Sequence, residues 1–118
     1  MKPSAELRPE NRRRSQRIKV RIAVEVRLQK AGKKFAAEKT HAISVNAHGG
    51  LVLLAAPVGV DQLVVVKNVA TSQELLARVT NLGDSFMGKT QVAIEFILPV
   101  PDFWGVASPP KDWKSSRR

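Results

Sequence analysis

The chain has 118 residues, the length of one domain, and carries a formal net charge of +10. It contains no cysteine, which excludes disulfides, thiolate catalysis and cysteine-based zinc sites. No stretch approaches the roughly 20 apolar residues of a membrane-spanning helix. The polar N-terminal region also lacks the apolar segment of a signal peptide. These features predict a cytoplasmic protein with no membrane span.

The positive charge is concentrated at the two ends of the chain. Residues 1–34 hold 12 Lys and Arg against 3 Asp and Glu, and residues 111–118 hold 4 against 1. Residues 35–110 hold 4 against 6. A nearly neutral body with basic ends predicts an anionic partner, such as a nucleotide or a nucleic acid. Tails that only keep the protein in solution are the alternative interpretation.

The hydrophobic pattern predicts a flexible basic tail over residues 1–11, followed by a series of strands. Over residues 18–28 every even position is apolar, which is typical of a half-buried strand. Residues 29–35 contain a glycine and predict a hairpin connection. Further strands are predicted at residues 36–45, 51–56, 62–68, 74–80 and 91–96. Residues 46–50 are predicted to break the second strand from the third, and residues 81–89 to form a polar loop.

Six short strands without a long helical pattern predict an all-β fold, a six-stranded antiparallel β-barrel. Closure into a barrel also removes bare sheet edges. Four prolines between residues 99 and 110 limit any C-terminal helix to a short helical turn. Phe103 and Trp104 are expected to pack across one barrel opening, because large aromatic side chains are costly to leave in water. The predicted domain covers residues 12–106, and residues 107–118 form a basic C-terminal tail.

The sequence offers little for catalysis. His41 and His48 are the two histidines, and no Asp or Glu stands at a metal-ligand spacing from them. No phosphate-binding glycine loop and no nucleophile motif occurs. We therefore predict a binding module rather than an enzyme, with no catalytic residue, no metal site and no cofactor.

Two motifs carry the case for ligand binding. The first is "RRSQR", in which Arg13 and Arg17 stand in an R-x-x-x-R spacing just before the first strand. Arginine presents a planar fork of donors that can hold a phosphate or the O6/N7 edge of guanine. The second is "SVNAHGG", residues 44–50, between the second and third strands. Its alternative interpretation is a tight connection that needs glycine for its backbone alone.

Together these motifs resemble the PilZ domain family, whose members are bacterial receptors for cyclic di-GMP. The family pattern is R-x-x-x-R before the first strand and D/N-x-S-x-x-G between the second and third strands of a six-stranded barrel. In this chain Ser44 stands at the acidic position, Asn46 at the serine position and Gly49 at the glycine. "VAIEF" and "PDFWGV" near the C-terminus are also similar to the family. The resemblance extends from about residue 12 to residue 106.

The resemblance implies that the chain binds cyclic di-GMP and signals to an unidentified effector protein. The expected ligand-binding residues are Arg13, Arg14, Arg17, Ser44, Asn46 and Gly49. The arginines would close over the ligand as an arm that becomes ordered on binding. The serine and asparagine would contact a guanine or the ribose-phosphate, and the glycine would leave room for the ligand. Aligning Asn46 with the acidic position instead brings the next glycine, Gly50, one residue early.

Ser44 departs from the family pattern because a hydroxyl replaces the acid. Losing a charge-assisted hydrogen bond costs about 1.5–3 kcal/mol, and the amide of Asn46 can compensate because it both donates and accepts. The alternative function is therefore a degenerate PilZ-type barrel that does not bind cyclic di-GMP and acts as a protein-interaction adaptor. A small barrel that binds nucleic acid is disfavoured, because it needs stacking aromatics on a strand face. This chain has no tyrosine, and its Phe and Trp lie mostly near the C-terminus.

Overall fold

The computed structural model describes residues 17–29, 37–98, 100 and 102–106, and these residues form six β-strands and no helix. The strands are β1 Ile18–Leu28, β2 Glu38–Asn46, β3 Gly49–Leu54, β4 Leu63–Asn68, β5 Glu74–Phe86 and β6 Lys89–Phe96. The predicted tails, and the first hairpin connection apart from Gln29, lie outside the described residues. Within the described part of the chain, no helix is long and apolar enough to cross a membrane.

All strand pairs are antiparallel, and their order is β1-β2-β3-β6-β5-β4, with β4 pairing back onto β1. The hydrogen-bond ladders therefore form a closed ring, called the strand ring below. The predicted all-β architecture with six antiparallel strands is confirmed. The ring is completed where Val24 to Leu28 of β1 pair with Asn68 to Val64 of β4.

The inner face of the strand ring is apolar and forms one core. β1 shows how the sequence determines this face: Val24 and Val26 are buried, whereas Lys19 and Arg21 between the inward positions are exposed. Alternation over residues 18–28 therefore predicted this strand with the bounds that the structure gives it. The other strands contribute the remaining buried apolar residues, Ala42, Val45, Val52, Leu54, Val64, Val66, Ala77, Val79, Val92, Ile94 and Phe96.

The predicted polar loop over residues 81–89 is wrong. β5 continues to Phe86 and β6 begins at Lys89, so most of this stretch is a paired hairpin. Its turn is made by Met87 and Gly88, which have φ values of 54° and 81°. Residues 81–88 are all exposed, so neither strand face needs apolar residues and no alternation marks the segment. Two irregularities in the β5–β6 register further disturb the pattern.

The C-terminal segment closes one end of the strand ring. Phe103 and Trp104 are 0% and 3% exposed, as expected, and both pack against Phe96 with ring-centroid distances of 5.1 and 5.6 Å. The side-chain amide of Asn68, at the end of β4, donates to the carbonyl oxygen of Phe103 at 2.8 Å. The predicted helical turn is not confirmed, because residues 102–104 form a hydrogen-bonded turn and no helix.

Candidate functional site

The second sequence motif forms the turn between β2 and β3, at the end of the strand ring that the aromatic segment closes. The turn itself is shorter than predicted and consists of Ala47 and His48. Asn46 ends β2, and its Oδ1 accepts a hydrogen bond from the backbone N–H of His48 at 2.9 Å. This is the local side-chain-to-backbone bond that favours asparagine in turns. Asn46 is only 8% exposed, so its side chain contributes directly to the turn.

Trp104 holds the same turn from the inside. Its indole N–H donates to the backbone carbonyl oxygens of Asn46 and Gly49, at 3.0 and 3.2 Å. Both hydrogen bonds are buried. The C-terminal segment therefore fixes the backbone on either side of the turn. The sequence motif did not reveal this contact, since it joins residues more than 50 positions apart.

A β-bulge brings Ser44 to the outer face of the strand ring. Ala42 pairs with Val52 and Ser44 pairs with Leu51, so Ile43 is an extra residue on β2. Ala42 and Val45 are both completely buried, which means that the inward positions change from even to odd at the bulge. Without the extra residue, regular alternation would point Ser44 into the core.

Gly49 and Gly50 belong to β3 rather than to the predicted break. A Cβ added at Gly49 would collide with the carbonyl oxygen of Ile94, and one at Gly50 would lie 2.8 Å from the carbonyl oxygen of Ser44. Backbone atoms within a ladder cannot easily move aside, so strand packing alone requires glycine at both positions. This favours the alternative interpretation of the glycines. A role of Gly49 in leaving room for a ligand stays a prediction.

The first sequence motif leads into a strand that pairs directly with the second motif. Ile18 lies opposite Val45 and Lys19 opposite Ser44. Continuing this register by one residue places Arg17 opposite Asn46. Arg17 is half-buried, and its Nε is shielded from solvent. The structure thus brings Arg17 beside the turn, whereas the other two expected arginines, Arg13 and Arg14, lie outside the described residues.

On the far side of the turn, β6 adds residues that the sequence motifs did not indicate. Gly49 lies opposite Glu95, and Leu51 lies opposite Ala93. Glu95 in turn lies opposite Arg78 on β5. Such partners come from pairing between strands that are distant in sequence, so local motifs could not identify them.

The residues at this end of the outer face make up one surface, called the turn surface below. It consists of Arg17, Lys19, Ser44, Asn46, Gly49, Leu51, Ala93, Glu95 and Arg78. At its centre Gly49 is buried, whereas Ser44 and Ala93 are half-buried. Lys19 on β1 and Arg17 just before it supply positive charge at one margin. The carboxylate of Glu95 is on β6, the strand next to β3, and Arg78 lies opposite it on β5. Charges of both signs on this surface suit a ligand that has anionic groups as well as hydrogen-bond donors.

Two cavities lie beside this surface rather than within it. The larger, about 440 Å³, is lined by residues that include Arg21, Val69 and Trp104. The smaller, about 320 Å³, lies over β1 and β2 and includes His41 and Lys89. Ser44, Asn46 and Gly49 line neither of them.

The histidines lie apart from one another. His41 is opposite Ala23 on the outer face, and His48 is in the β2–β3 turn. Among the residues that the structure describes, no group of three or more His, Asp or Glu side chains is arranged to hold a metal ion.

The chain matches no protein-family model, and no curated protein matches it.

Proposed function

We propose that this chain is a PilZ-type barrel that binds cyclic di-GMP on the turn surface and passes the signal to an effector protein in the bacterial cytoplasm. One observation carries the proposal. The strand that follows the R-x-x-x-R motif pairs, residue against residue, with the S-x-N-x-x-G strand, as Lys19 does with Ser44. The end of the first motif, Arg17, thereby lies near the second motif, although the two are about 30 residues apart in the sequence.

The expected roles follow from charge and hydrogen-bonding capacity. Arg17 and Arg13 bind the two phosphates, because a guanidinium fork holds phosphate oxygens in pairs. Arg14 assists them, and Lys19 adds a positive charge next to Ser44. The Ser44 hydroxyl donates to or accepts from a guanine or ribose group. The signal is the ordering of the arginine arm on binding, which changes the surface that a partner protein meets.

A protein-interaction adaptor without a nucleotide ligand is the second candidate. It is favoured by the structural roles of two motif residues. The Oδ1 of Asn46 accepts from the turn backbone, and Gly49 is required by the packing of β3 on β6. If these structural roles account for both residues, the motif is needed only for folding and the protein binds no nucleotide.

The test is isothermal titration of cyclic di-GMP into the protein, with GTP as the control ligand. An Arg13→Ala/Arg17→Ala double variant removes the two charges of the R-x-x-x-R motif. An Arg27→Ala/Lys67→Ala double variant removes two charges from the outer face near the β1–β4 pairing and is its matched control. We expect micromolar binding that is lost only in the first variant and that GTP does not reproduce.

Other outcomes distinguish the alternatives. No heat with cyclic di-GMP at high concentration would overturn the receptor proposal and favour the adaptor. Binding of single-stranded oligonucleotides that weakens steeply with added salt, without cyclic di-GMP binding, would indicate a nucleic-acid protein instead.

A further inference from the structure

We infer that β1 binds an extended segment of a partner protein in which acidic and apolar residues alternate. The binding edge is the side of Ile18–Ile22 that faces away from β2, called the open edge below. The inference concerns the protein partner that both candidate functions require, and it rests on the proposed function in that respect alone. It does not depend on nucleotide binding.

β4 pairs with only the C-terminal half of β1. Their ladder begins where Val24 lies opposite Asn68. One further bond continues it, from the backbone N–H of Val69 to the carbonyl oxygen of Ala23 at 3.2 Å. On its other side, β1 pairs with β2 from Ile18 onward. Among the residues that the structure describes, no strand therefore pairs with the open edge.

The inward-facing side chains of β1 are less buried where β4 does not reach. Val24 and Val26, beside β4, are buried completely or nearly so. Ile18, Val20 and Ile22 belong to the same face and pack against the core, but they are only half-buried. An added strand with apolar side chains on this face would cover them, and removing apolar surface from water is favourable.

The outer side of the same stretch is cationic. Lys19 and Arg21 are both exposed. The register of β1 on β2 is irregular between Lys19 and Ile22, yet apolar and charged residues still alternate through this stretch. Acidic side chains on an added strand would lie opposite the two cations, and cross-strand pairs of opposite charge are favourable. The open edge thus specifies both faces of its partner segment, apolar inward and acidic outward.

A cavity of about 440 Å³ adjoins the open edge and provides space for the segment. Arg21 and Ile22 line it on β1, and Trp104 lines it on the C-terminal segment. Asn68 and Val69 also line it, at the point where the β1–β4 ladder ends. A segment antiparallel to β1 would therefore lie in line with β4 and continue that ladder. Unpaired strand edges bind extended peptides in this way, with main-chain hydrogen bonds giving affinity and side-chain contacts giving specificity.

The open edge disfavours two other occupants. A second copy of the chain that paired through the same edge would bring Lys19 and Arg21 close to identical cations, and like charges opposite each other are destabilising. The chain's own residues 107–118 hold 4 Lys and Arg against 1 Asp. They also contain Pro109 and Pro110, which lack the N–H that strand pairing uses. An acidic segment of another protein fits the edge better than either.

The test titrates a synthetic peptide, in which glutamates alternate with valines, into the full chain. A peptide with lysines in place of the glutamates is the control ligand. Lys19→Ala/Arg21→Ala removes the two cations of the open edge. Arg27→Ala/Lys67→Ala is its matched control, because it removes two cations where β4 already occupies the edge of β1. We expect only the glutamate peptide to bind, and only K19A/R21A to weaken its binding, by about 3- to 30-fold.

Amide hydrogen exchange shows where the peptide binds. The bound peptide should slow exchange in residues 18–23 and leave residues 24–28, which β4 already covers, unchanged. No binding at high peptide concentration, slowed exchange only elsewhere, or equal weakening by both variants would overturn the inference. If circular dichroism shows K19A/R21A unfolded, the unchanged protein decides. Binding of the glutamate peptide alone, with slowed exchange at residues 18–23, supports the inference, and equal binding of both peptides overturns it.

The outcomes also separate this inference from the proposed function. A protein that binds the glutamate peptide but not cyclic di-GMP overturns the receptor proposal, favours the adaptor and leaves this inference intact. A protein that binds cyclic di-GMP but not the peptide does the reverse, because nucleotide binding uses the turn surface and does not require an added strand.

Discussion

At the scale of single residues, Gly49 combines a motif position with a packing requirement. Its missing side chain leaves space that the Ile94 carbonyl oxygen of β6 occupies. We predict that Gly49→Ala lowers the free energy of unfolding by about 1–3 kcal/mol, as overpacking of a closed interior does. Urea denaturation followed by circular dichroism measures the loss. Any accompanying loss of ligand affinity then reflects strand displacement as well as contact with the ligand.

Gly59→Ala is the matched control for this substitution, since a Cβ there meets nothing within 4 Å. It should leave the unfolding midpoint unchanged or slightly higher, because alanine restricts the unfolded chain. Equal stability of the two alanine variants would show that close packing of β3 on β6 does not require glycine at residue 49.

At the scale of elements, the β5–β6 hairpin carries a residue that its turn does not favour. Met87 has a φ of 54° and is 84% exposed, and Gly88 follows with a φ of 81°. Two successive positive φ values are typical of a type I′ turn, which prefers Asn-Gly. We predict that Met87→Asn raises the free energy of unfolding by about 0.5–1 kcal/mol, because asparagine tolerates this conformation better. Thermal unfolding measures the gain, and Met87→Leu, which keeps the strained backbone, should show none.

Strand segments with an alternating apolar face were predictable, and strand segments without one were not. β1 was predicted with its observed bounds because each inward residue is apolar. The hairpin at residues 81–88 lacks that constraint and was mistaken for a loop. The candidate site was also predictable only in part. Ser44 could be selected from its motif, but its outward position depends on the bulge at Ile43. Glu95 joins the turn only through the register of β6 on β3, which no local pattern encodes.

At the scale of the whole molecule, the strand ring and its C-terminal segment form one connected structure. Each strand pairs with two neighbours, and the aromatic cluster of Phe96, Phe103 and Trp104 covers one end of the core. The candidate site lies on the outside of that same end. Trp104 donates hydrogen bonds to the turn backbone from inside the ring. The packing of the C-terminal segment and the geometry of the turn surface are therefore coupled.

This coupling predicts the effect of Trp104→Phe. The variant keeps an aromatic ring but loses the indole N–H, and it leaves the carbonyl oxygens of Asn46 and Gly49 without that donor. We expect the free energy of unfolding to fall by about 1–3 kcal/mol, and the amides of residues 46–50 to exchange faster with solvent.

Phe86→Leu is the control, since Phe86 is 77% exposed and surface changes stay within about 0.5 kcal/mol. If W104F matches that control in urea denaturation and in amide exchange, the C-terminal segment does not support the turn. If only the turn amides exchange faster while global stability holds, Trp104 acts on the turn surface more than on the core.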